Sequence, residues 1–345
     1  MLHGGKFLAF ASCLGIGLFV CMVLVLPKPN ELNLEYFPHV YLPQAYDRVL
    51  PLINATDDSG VTLSFVGDIM LARSVERTIV EHGTVWPWAE LDDLFVGSDI
   101  VIGNFEGTVR PERNLEVVNQ MTFDTTPDNV TALAEAGFTH LSLANNHTDD
   151  YGTQVTVDTR SIIAQNGLVP FVDPTKRENF IARENLGGVA LSIIGFHAFG
   201  EASADILDVI KAEEAQGRFV IVYPHWGVEY ASTAPSVETT AAQAFVNAGA
   251  DLIIGAHPHV IQNIEVIDGV PVVYSLGNFL FDQDFSTETQ QGLTAQVHID
   301  DDMVSLIFTP VVIENRQTSI MPEPAASELL DNLGLVNGRL DLLRQ

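Results

Sequence analysis

The sequence predicts a mixed α/β fold, and three features of the chain support this prediction. From residue 61 onward, short β-rich runs alternate with longer helix-like stretches, which is the pattern of α/β proteins. Hydrophobic residues make up 47% of the 345 residues, enough material for a large buried core. The last strand-like runs follow one another without long helices between them, which predicts a partly antiparallel second sheet.

Nine strands and five helices are predicted after residue 60, each from its local pattern. Runs rich in β-branched and large apolar residues predict strands at residues 61–66, 99–103, 140–144, 189–196, 219–223, 252–255, 270–275, 293–299 and 304–312. Helical spacing of apolar residues predicts helices at residues 71–82, 127–136, 152–165, 202–216 and 237–248.

An apolar segment precedes this region and predicts a membrane anchor. Residues 7–26 are 20 consecutive residues without a charge, and a helix of that length spans about 30 Å, the thickness of the hydrocarbon core. Pro27 and Pro29 end the segment without a clear cleavage site before them. We therefore expect an uncleaved signal anchor, with a cleaved signal as the alternative. The expected location is the cell membrane, single-pass, with the main domain extracytoplasmic.

The prediction divides the chain into four segments. Residues 1–26 are the transmembrane signal anchor, and residues 27–60, which contain five prolines, are a linker. Residues 61–315 form the main α/β domain, and residues 316–345 are expected to be a C-terminal helical tail.

The charge balance excludes one class of partner. The chain has 16 Lys+Arg against 45 Asp+Glu, a formal net charge of -29. Such a surface repels a phosphate backbone and no cluster of Lys and Arg offsets it, so no nucleic-acid partner is expected. Both cysteines, Cys13 and Cys21, lie in the N-terminal segment. A metal site in the main domain must therefore use His, Asp, Glu or Asn.

Polar side chains follow five of the predicted strands, at the point where each strand ends. They are Asp68, Asn104 with Glu106, Asn145 with Asn146 and His147, His225, and His257 with His259. In open α/β sheets, ligands bind in the crevice outside the carboxyl ends of the strands. This mixture of imidazole, carboxylate and amide ligands suits Mn, Zn or Fe. The sequence thus predicts a divalent-metal site at these strand ends.

Each of these residues also has a simpler interpretation when it is taken alone. Asp68 could be a helix N-cap, Glu106 a loop charge, and the two asparagines turn formers. Five strand ends with matching chemistry favour the metal site over five separate coincidences. The other six histidines are expected to be structural: His3, His39, His82, His140, His197 and His298.

Six motifs, in order along the chain, resemble the CapA family of poly-γ-glutamate capsule synthesis proteins. They are Gly67-Asp68-Ile69-Met70-Leu71, Asn104-Phe105-Glu106-Gly107, Ala144-Asn145-Asn146-His147 with Asp150-Tyr151-Gly152, His225-Trp226-Gly227-Val228-Glu229-Tyr230, Gly255-Ala256-His257-Pro258-His259-Val260 and Tyr274-Ser275-Leu276-Gly277-Asn278-Phe279. The resemblance runs from about residue 61 to residue 312. The family is in turn similar to calcineurin-like metallophosphoesterases, which implies a four-layer α/β/β/α sandwich.

The resemblance also implies roles for individual residues. The metal ligands would be Asp68, Glu106, Asn146, His225, His257 and His259, and the catalytic acid or transition-state donor would be His147. Two departures bear on the metal count. Met70 stands where the superfamily has a histidine ligand, and a thioether is a poor ligand for such metals. Glu106 stands where the superfamily has a bridging aspartate, so the resemblance supports one metal more strongly than two.

The resulting functional hypothesis is a metal-dependent hydrolase that acts on an anionic polymer, such as poly-γ-glutamate, or on a phosphoester. Arg73, Asn104 and Glu229 are the candidate substrate-binding residues, and Glu229 is also a candidate to orient His225. The alternative is a non-catalytic component that binds polymer or other capsule synthesis proteins at the membrane. The residues do not choose between the phosphoester and a γ-glutamyl amide.

Overall fold

The computed structural model describes residues 60–91, 93–112, 121–172, 180–197 and 204–344. Within these ranges the protein is a mixed α/β structure with two large sheets and one short two-stranded sheet. The predicted anchor at residues 7–26 and the predicted linker up to residue 59 lie outside the described residues. None of the helices in the described ranges has the length and apolar character needed to span a membrane.

The described residues form seventeen strands and six α-helices, numbered along the chain. The strands are β1 (Val61–Ile69), β2 (Ile100–Phe105), β3 (Thr108–Val109), β4 (Asp124–Thr125), β5 (His140–Ser142), β6 (Val169–Phe171), β7 (Ile181–Leu186), β8 (Val189–His197), β9 (Phe219–His225), β10 (Leu252–Ile254), β11 (Ile264–Ile267), β12 (Val270–Val273), β13 (Asn278–Leu280), β14 (Gln291–Ile299), β15 (Met303–Glu314), β16 (Gln317–Ile320) and β17 (Arg339–Leu343). The helices are α1 (Arg73–His82), α2 (Pro127–Glu135), α3 (Thr153–Gln165), α4 (Ala204–Glu214), α5 (Ser236–Asn247) and α6 (Ala325–Asn332). Every predicted strand and helix coincides with one of these elements.

The larger sheet has a parallel half and an antiparallel half. Its strand order is β16-β15-β14-β1-β2-β5-β6, with β13 paired to β1 and β17 paired to β15. Strands β1, β2, β5 and β6 run parallel, whereas β14 pairs antiparallel with β1 and β15 antiparallel with β14. The prediction that the last strands form a second sheet is therefore wrong. They extend the first sheet because β13 returns the chain to β1 and delivers β14 to its remaining edge.

The second sheet has the order β11-β12-β10-β9-β8-β7 in the described chain. Its four central strands run parallel, and the hairpin strands β7 and β11 close its two edges in antiparallel pairs. Both sheets therefore have a parallel centre. Parallel strands end at the same edge of a sheet, which places their following residues side by side.

Residue alternation in the strands divides the core into three apolar clusters. In β9, Phe219, Ile221 and Tyr223 pack in a cluster shared with β1, β2 and β14 of the larger sheet. Val220 and Val222 point the other way and pack with residues of α4 and α5. A third cluster joins the larger sheet to α1, α2 and α3. Because these strands are buried on both faces, their sequences are nearly continuous apolar runs. Such runs are easily recognised as strands in the sequence.

Residues 316–345 do not form a helical tail, which corrects the predicted secondary structure there. Strand β16 pairs with the C-terminal half of β15, strand β17 pairs with its N-terminal half, and α6 connects the two. The physical reason is that β15 has twelve residues and an otherwise open edge, whose backbone groups these two short strands satisfy.

A close backbone approach at Gly67 provides a test of this fold. A Cβ atom at Gly67 would lie 1.8 Å from the carbonyl oxygen of Gly277, whereas a Cβ atom at Gly188 would meet no atom within 4 Å. We expect Gly67→Ala to lower the free energy of unfolding by about 3 kcal/mol or more, because two backbones must separate. The control Gly188→Ala, at φ +82, should cost only about 1–2 kcal/mol of backbone strain. Urea unfolding measures both; equal losses would contradict the close approach.

Candidate metal centre

The structure brings the predicted strand-end residues of both sheets together. Asp68 at the end of β1 is paired in register with Asn104 at the end of β2 and with Asn278 at the start of β13. His225 ends β9 of the second sheet and forms an isolated bridge with Ala256, just after β10. The two sheets therefore converge at their carboxyl ends, as expected for a ligand crevice.

Asp68 lies at the centre of this group and is fully buried. Its Oδ1 accepts a hydrogen bond from Asn104 Nδ2 at 2.8 Å, and its Oδ2 accepts one from the backbone N–H of His257 at 3.1 Å. His259 Nδ1 lies 3.1 Å from Oδ2, and His225 Nδ1 lies 3.8 Å from Oδ1. One carboxylate thus connects residues from three other segments of the chain.

Asn104 and Asn145 form hydrogen bonds that hold the residues around Asp68 in place. Asn104 Nδ2 lies 3.1 Å from His225 Nδ1, and Asn104 Oδ1 accepts a hydrogen bond from Asn145 Nδ2 at 3.0 Å. Asn145 also holds the following turn, since its Oδ1 accepts from the backbone N–H of His147. Asn104 is only 1% exposed. Its contacts are with Asp68, His225 and Asn145, and its contact with substrate stays a prediction.

Three imidazole and amide groups face one another beside Asp68. His225 Nε2 lies 2.8 Å from Asn146 Oδ1 and 3.0 Å from His257 Nδ1. Burial lowers the pKa of His225 well below its usual value, and neighbouring histidines lower it further. Burial and His259 lower the pKa of His257 to about 4. Both rings are therefore neutral near pH 7, the form that binds a metal.

Glu106 is a buried carboxyl group of this site whose oxygens lack hydrogen bonds within the described residues. It is 1% exposed, and neither carboxylate oxygen has a hydrogen-bond partner among the described residues. Burial, followed by the charges of Asp68 and Glu229, raises its pKa to about 8 although His259 opposes the shift. An unpaired buried carboxylate is costly, and a cation is the partner that removes this cost.

His259 differs from His225 and His257, because its pKa is raised and not lowered. Burial lowers its pKa, but the charge of Glu106 and the hydrogen bond to Asp68 outweigh burial and raise it to about 9. Its Nδ1 also lies 3.0 Å from Asn278 Oδ1. His257 and His259 have positive φ angles of 103° and 59°. Strained backbone of this kind is concentrated at functional sites.

His147 lies at the edge of the centre, held on three sides. Its Nδ1 lies 2.9 Å from Asp150 Oδ2, its Nε2 lies 3.6 Å from Glu106 Oε1, and its ring stacks on Phe123 with 3.8 Å between centroids. Asp150 Oδ2 also accepts a hydrogen bond from the backbone N–H of Phe123 at 2.6 Å. Asp150 belongs to the third motif, but the sequence assigned it no role; its i, i+3 spacing after His147 is a usable signal for this contact. Phe123 was not identified from the sequence.

Arg73 lies near the centre but is already engaged. Its Nη2 pairs with Asp282 Oδ1, and its guanidinium lies 4.7 Å from the ring centroid of Phe123 and 5.5 Å from that of Phe281. The side chain is 15% exposed. It is a cation at the rim of the site, as expected, and Asp282 is the partner that the sequence did not reveal.

Glu229 is exposed, and its side chain forms a hydrogen bond with Tyr230. Asn104 is the residue that contacts His225. The charge of Glu229 still acts on Glu106 and His259. Among the predicted structural histidines, His197 is the exception. It pairs in register with His225, the two rings lie 5.7 Å apart, and it belongs to the rim of the site.

The other histidines outside the centre are structural within the described residues. His140 lies 3.3 Å from Glu184 Oε1 and 2.9 Å from Thr139 Oγ1, and His298 lies 3.0 Å from Thr62 Oγ1. His82 stacks on Trp86. His3 and His39 lie outside the described residues.

The donor atoms fit a divalent cation. One ligand atom each from Asp68, Glu106 and His225 lies within 4.8 Å of the others, and all three residues are buried. The unpaired oxygens of Glu106 face the same group. Met70 is not part of it, because its side chain is buried in the cluster beneath α1 and its sulfur accepts from the Ala72 N–H at 3.0 Å. Met70 thus contributes packing.

The fold and this centre together define a class of protein. It is a mixed α/β protein whose strand ends enclose a buried Asp-Glu-His cluster suited to a divalent cation. Residues 62–283 match the family described as "Bacterial capsule synthesis protein PGA_cap". The chain belongs to this family, which confirms its resemblance to CapA proteins.

Individual relatives agree with the family match. The chain is 33% identical over 314 residues to "Capsule biosynthesis protein CapA" of Bacillus anthracis, covering 84% of this chain and 75% of that protein. It is 32% identical over 271 residues to "PGA biosynthesis protein CapA" of Bacillus subtilis, covering 72% and 70%. It is 26% identical over 286 residues to a "Probable polyglutamine synthesis accessory protein" of Mycobacterium tuberculosis, covering 64% and 74%.

Removal of the unpaired carboxylate tests the metal centre. We expect Glu106→Gln to weaken Mn²⁺ or Zn²⁺ binding by about a hundredfold or more, because the buried charge that attracts the cation is lost. Isothermal titration and metal analysis of the purified protein measure this. Glu328→Gln, on the exposed side of α6, is the control and should bind as the wild type does. Equal affinity in both variants would contradict the site.

The raised pKa values give this site a pH signature. In the folded protein Glu106 and His259 hold protons up to about pH 8 and pH 9, whereas when unfolded they release them near their ordinary, lower values. The metal-free protein should therefore lose stability as pH rises from about 5 to 9.

Metal binding requires both groups deprotonated, so its stabilising effect should grow over the same range. We expect the rise in Tm on adding Mn²⁺ to increase steadily from pH 6 to pH 8.5. Differential scanning calorimetry at several pH values measures it. A metal-induced rise that is constant or declines with pH would contradict these assignments.

Proposed function

We propose that this protein is a membrane-anchored, metal-dependent hydrolase of poly-γ-glutamate capsule biosynthesis, acting on an anionic polymer or a phosphoester. The observation that carries the proposal is the buried Asp68, Glu106 and His225 cluster, in which Glu106 has no hydrogen-bond partner among the described residues. The names of the relatives from the two Bacillus species support the capsule role.

The proposed ligands are the strand-end residues, and the proposed fold is the four-layer sandwich of metallophosphatases. The ligands are Asp68, Glu106, Asn146, His225, His257 and His259. These residues would hold a divalent metal, which would lower the pKa of a bound water to about 7 and polarise the bond to be broken. The three apolar clusters, one between the sheets and one on the outer face of each, support the four-layer arrangement.

His147 is the proposed proton donor to the leaving group. Asp150 holds its Nδ1 and Phe123 covers one face of its ring, so Nε2 is left facing Glu106 and the centre. A ring fixed by a carboxylate in this way has one nitrogen available for proton transfer, which is the arrangement general acids require. The neighbouring Arg73 supplies positive charge for a carboxylate or phosphate at the rim.

A second candidate is a non-catalytic protein that binds polymer or other capsule synthesis proteins. The observation that favours it is Met70, which removes one superfamily ligand and packs into the core. Assays of the purified full-length protein with phosphodiesters and with poly-γ-glutamate distinguish the two. Stoichiometric metal with no turnover of either substrate would favour the binding protein. Turnover of one substrate also identifies the bond cleaved.

The proposed location is the cell membrane, with the main domain extracytoplasmic. The support is the run of 20 uncharged residues at 7–26. Membrane fractionation with protease protection tests it, since an external domain is digested in intact protoplasts. A domain that stays protected until the cells are lysed would contradict the proposed orientation.

Replacement of His147 tests the catalytic proposal. We expect His147→Ala to lower kcat by about 100- to 10,000-fold, because general acid catalysis contributes that much, while metal content is unchanged. The control is His298→Ala, whose ring contacts Thr62 in β1 and Asp300. The measurement is steady-state turnover together with metal analysis. Full activity in His147→Ala, with turnover in the wild type, would refute its role as acid.

A further inference from the structure

A cleft of about 580 Å³ lies beside the metal centre and is not used by the roles described above. One face of α1 forms its floor, since residues spaced by three and four positions share a face. Trp86 and the turn between β15 and β16 form its walls. Two guanidinium groups, those of Arg77 and Arg316, line it together with one carboxylate, that of Glu81. The other lining residues that matter here are Ser74, Trp86 and Asn315.

The cleft is connected to the rim of the metal centre by a series of hydrogen bonds. Arg316 Nε donates to Ser74 Oγ at 3.1 Å, and Ser74 Oγ donates to Asp282 Oδ2 at 2.8 Å. Asp282 also pairs with Arg73, whose guanidinium lies over Phe123 beside His147. A ligand in the cleft would therefore extend toward the reacting centre.

The cleft holds two side chains of a scarce residue type. Ten Lys and Arg side chains fall in the described ranges, and Arg77 and Arg316 line the cleft. Arg77 is exposed and makes no ion pair or hydrogen bond within the described residues. Arg316 pairs with Asp284 at 2.7 Å, but that carboxylate is 45% exposed. An exposed pair is worth about 0–1 kcal/mol, so a ligand carboxylate replaces Asp284 at little cost.

The turn that carries Arg316 is built at a conformational cost. Asn315 and Arg316 have φ angles of 52° and 58°, the values of a two-residue type I′ hairpin, whose second position favours glycine. Trp86 Nε1 donates to the carbonyl oxygen of Asn315 at 3.2 Å and fixes the turn against the cleft wall. Arginine occupies this position although glycine fits its backbone conformation better, which indicates a function for the arginine side chain.

An aromatic surface lies opposite these cations. The Trp86 and His82 rings stack with 4.5 Å between centroids. Trp86 is partly exposed, whereas Trp88 and Trp226 are buried. A ring of this kind packs against the apolar and amide parts of an extended chain.

We propose that this cleft is a track that binds an extended carboxylate-bearing polymer and leads it to the metal centre. The inference rests on the proposed function and adds the place where the polymer is held. From Ser74 to His82, α1 advances about 12 Å, which accommodates several units of an extended chain. Arg77 and Arg316 pair with carboxylates of the polymer, and Trp86 packs against its backbone.

The test is a binding titration of the detergent-solubilised full-length protein with poly-γ-glutamate. Isothermal titration and Trp86 fluorescence report binding, with Trp86→Phe to identify the fluorescent residue. We expect Arg77→Gln and Arg316→Gly each to raise Kd about tenfold or more, because one charged contact is lost. Arg316→Gly gives the type I′ turn its preferred residue, so weaker binding by this variant reports the side chain and not misfolding. Metal content should stay at the wild-type value.

Arg339→Gln, in β17 and paired with Asp341, is the control and should leave Kd unchanged. Wild-type affinity in both Arg77→Gln and Arg316→Gly would overturn the track and leave the proposed function in place. No binding of poly-γ-glutamate by the wild type would overturn the polymer assignment of the proposed function itself. Tighter binding of polyphosphate than of poly-γ-glutamate would overturn the carboxylate specificity of the track.

Discussion

The arrangement of this site depends on one buried carboxyl group to which the described residues give no hydrogen bond. Glu106 is 1% exposed and its two oxygens have no hydrogen-bond partner among the described residues. Such a group destabilises a fold unless it is protonated or meets a cation. Asp68, by contrast, is held by Asn104, His257 and His259. The unequal treatment of two neighbouring carboxylates is what marks the cluster as a group that could hold a cation.

The scaffold around this charge is rigid because backbones, and not flexible side chains, hold the ligands. Asp68 N donates to Gly277 O, and β1 approaches that segment so closely that only glycine fits at position 67. His257 and His259 are fixed by strained backbone on either side of Pro258. A site assembled from the ends of packed parallel strands has little freedom to rearrange, so its ligand geometry is set before any ion arrives.

The sequence reveals the parts of this structure that depend on local pattern. Buried parallel strands such as β9 appear as apolar runs, and Asp68 and His225 are identifiable because each follows such a run. Pairing between distant segments has no such local signature. The register that sets His197 beside His225, the contact of Asp282 with Arg73, and the pairing of β14 with β1 all depend on how the sheets assemble. The prediction of a helical tail at residues 316–345 is wrong because β16 and β17 are short strands whose pairing partner is β15.

The acidity of the chain gives the few exposed arginines a particular weight. At a net charge of -29, the protein repels an anionic polymer at long range, but salt screens this repulsion beyond about 8–10 Å. Attraction between guanidinium and carboxylate acts at contact and is partly shielded from salt within a cleft. Binding is therefore confined to places where cations project from the acidic surface. The face of α1 that carries Arg77 is such a place, and the charge of Arg73, the first residue of the same helix, acts on the buried carboxyl group of Glu106.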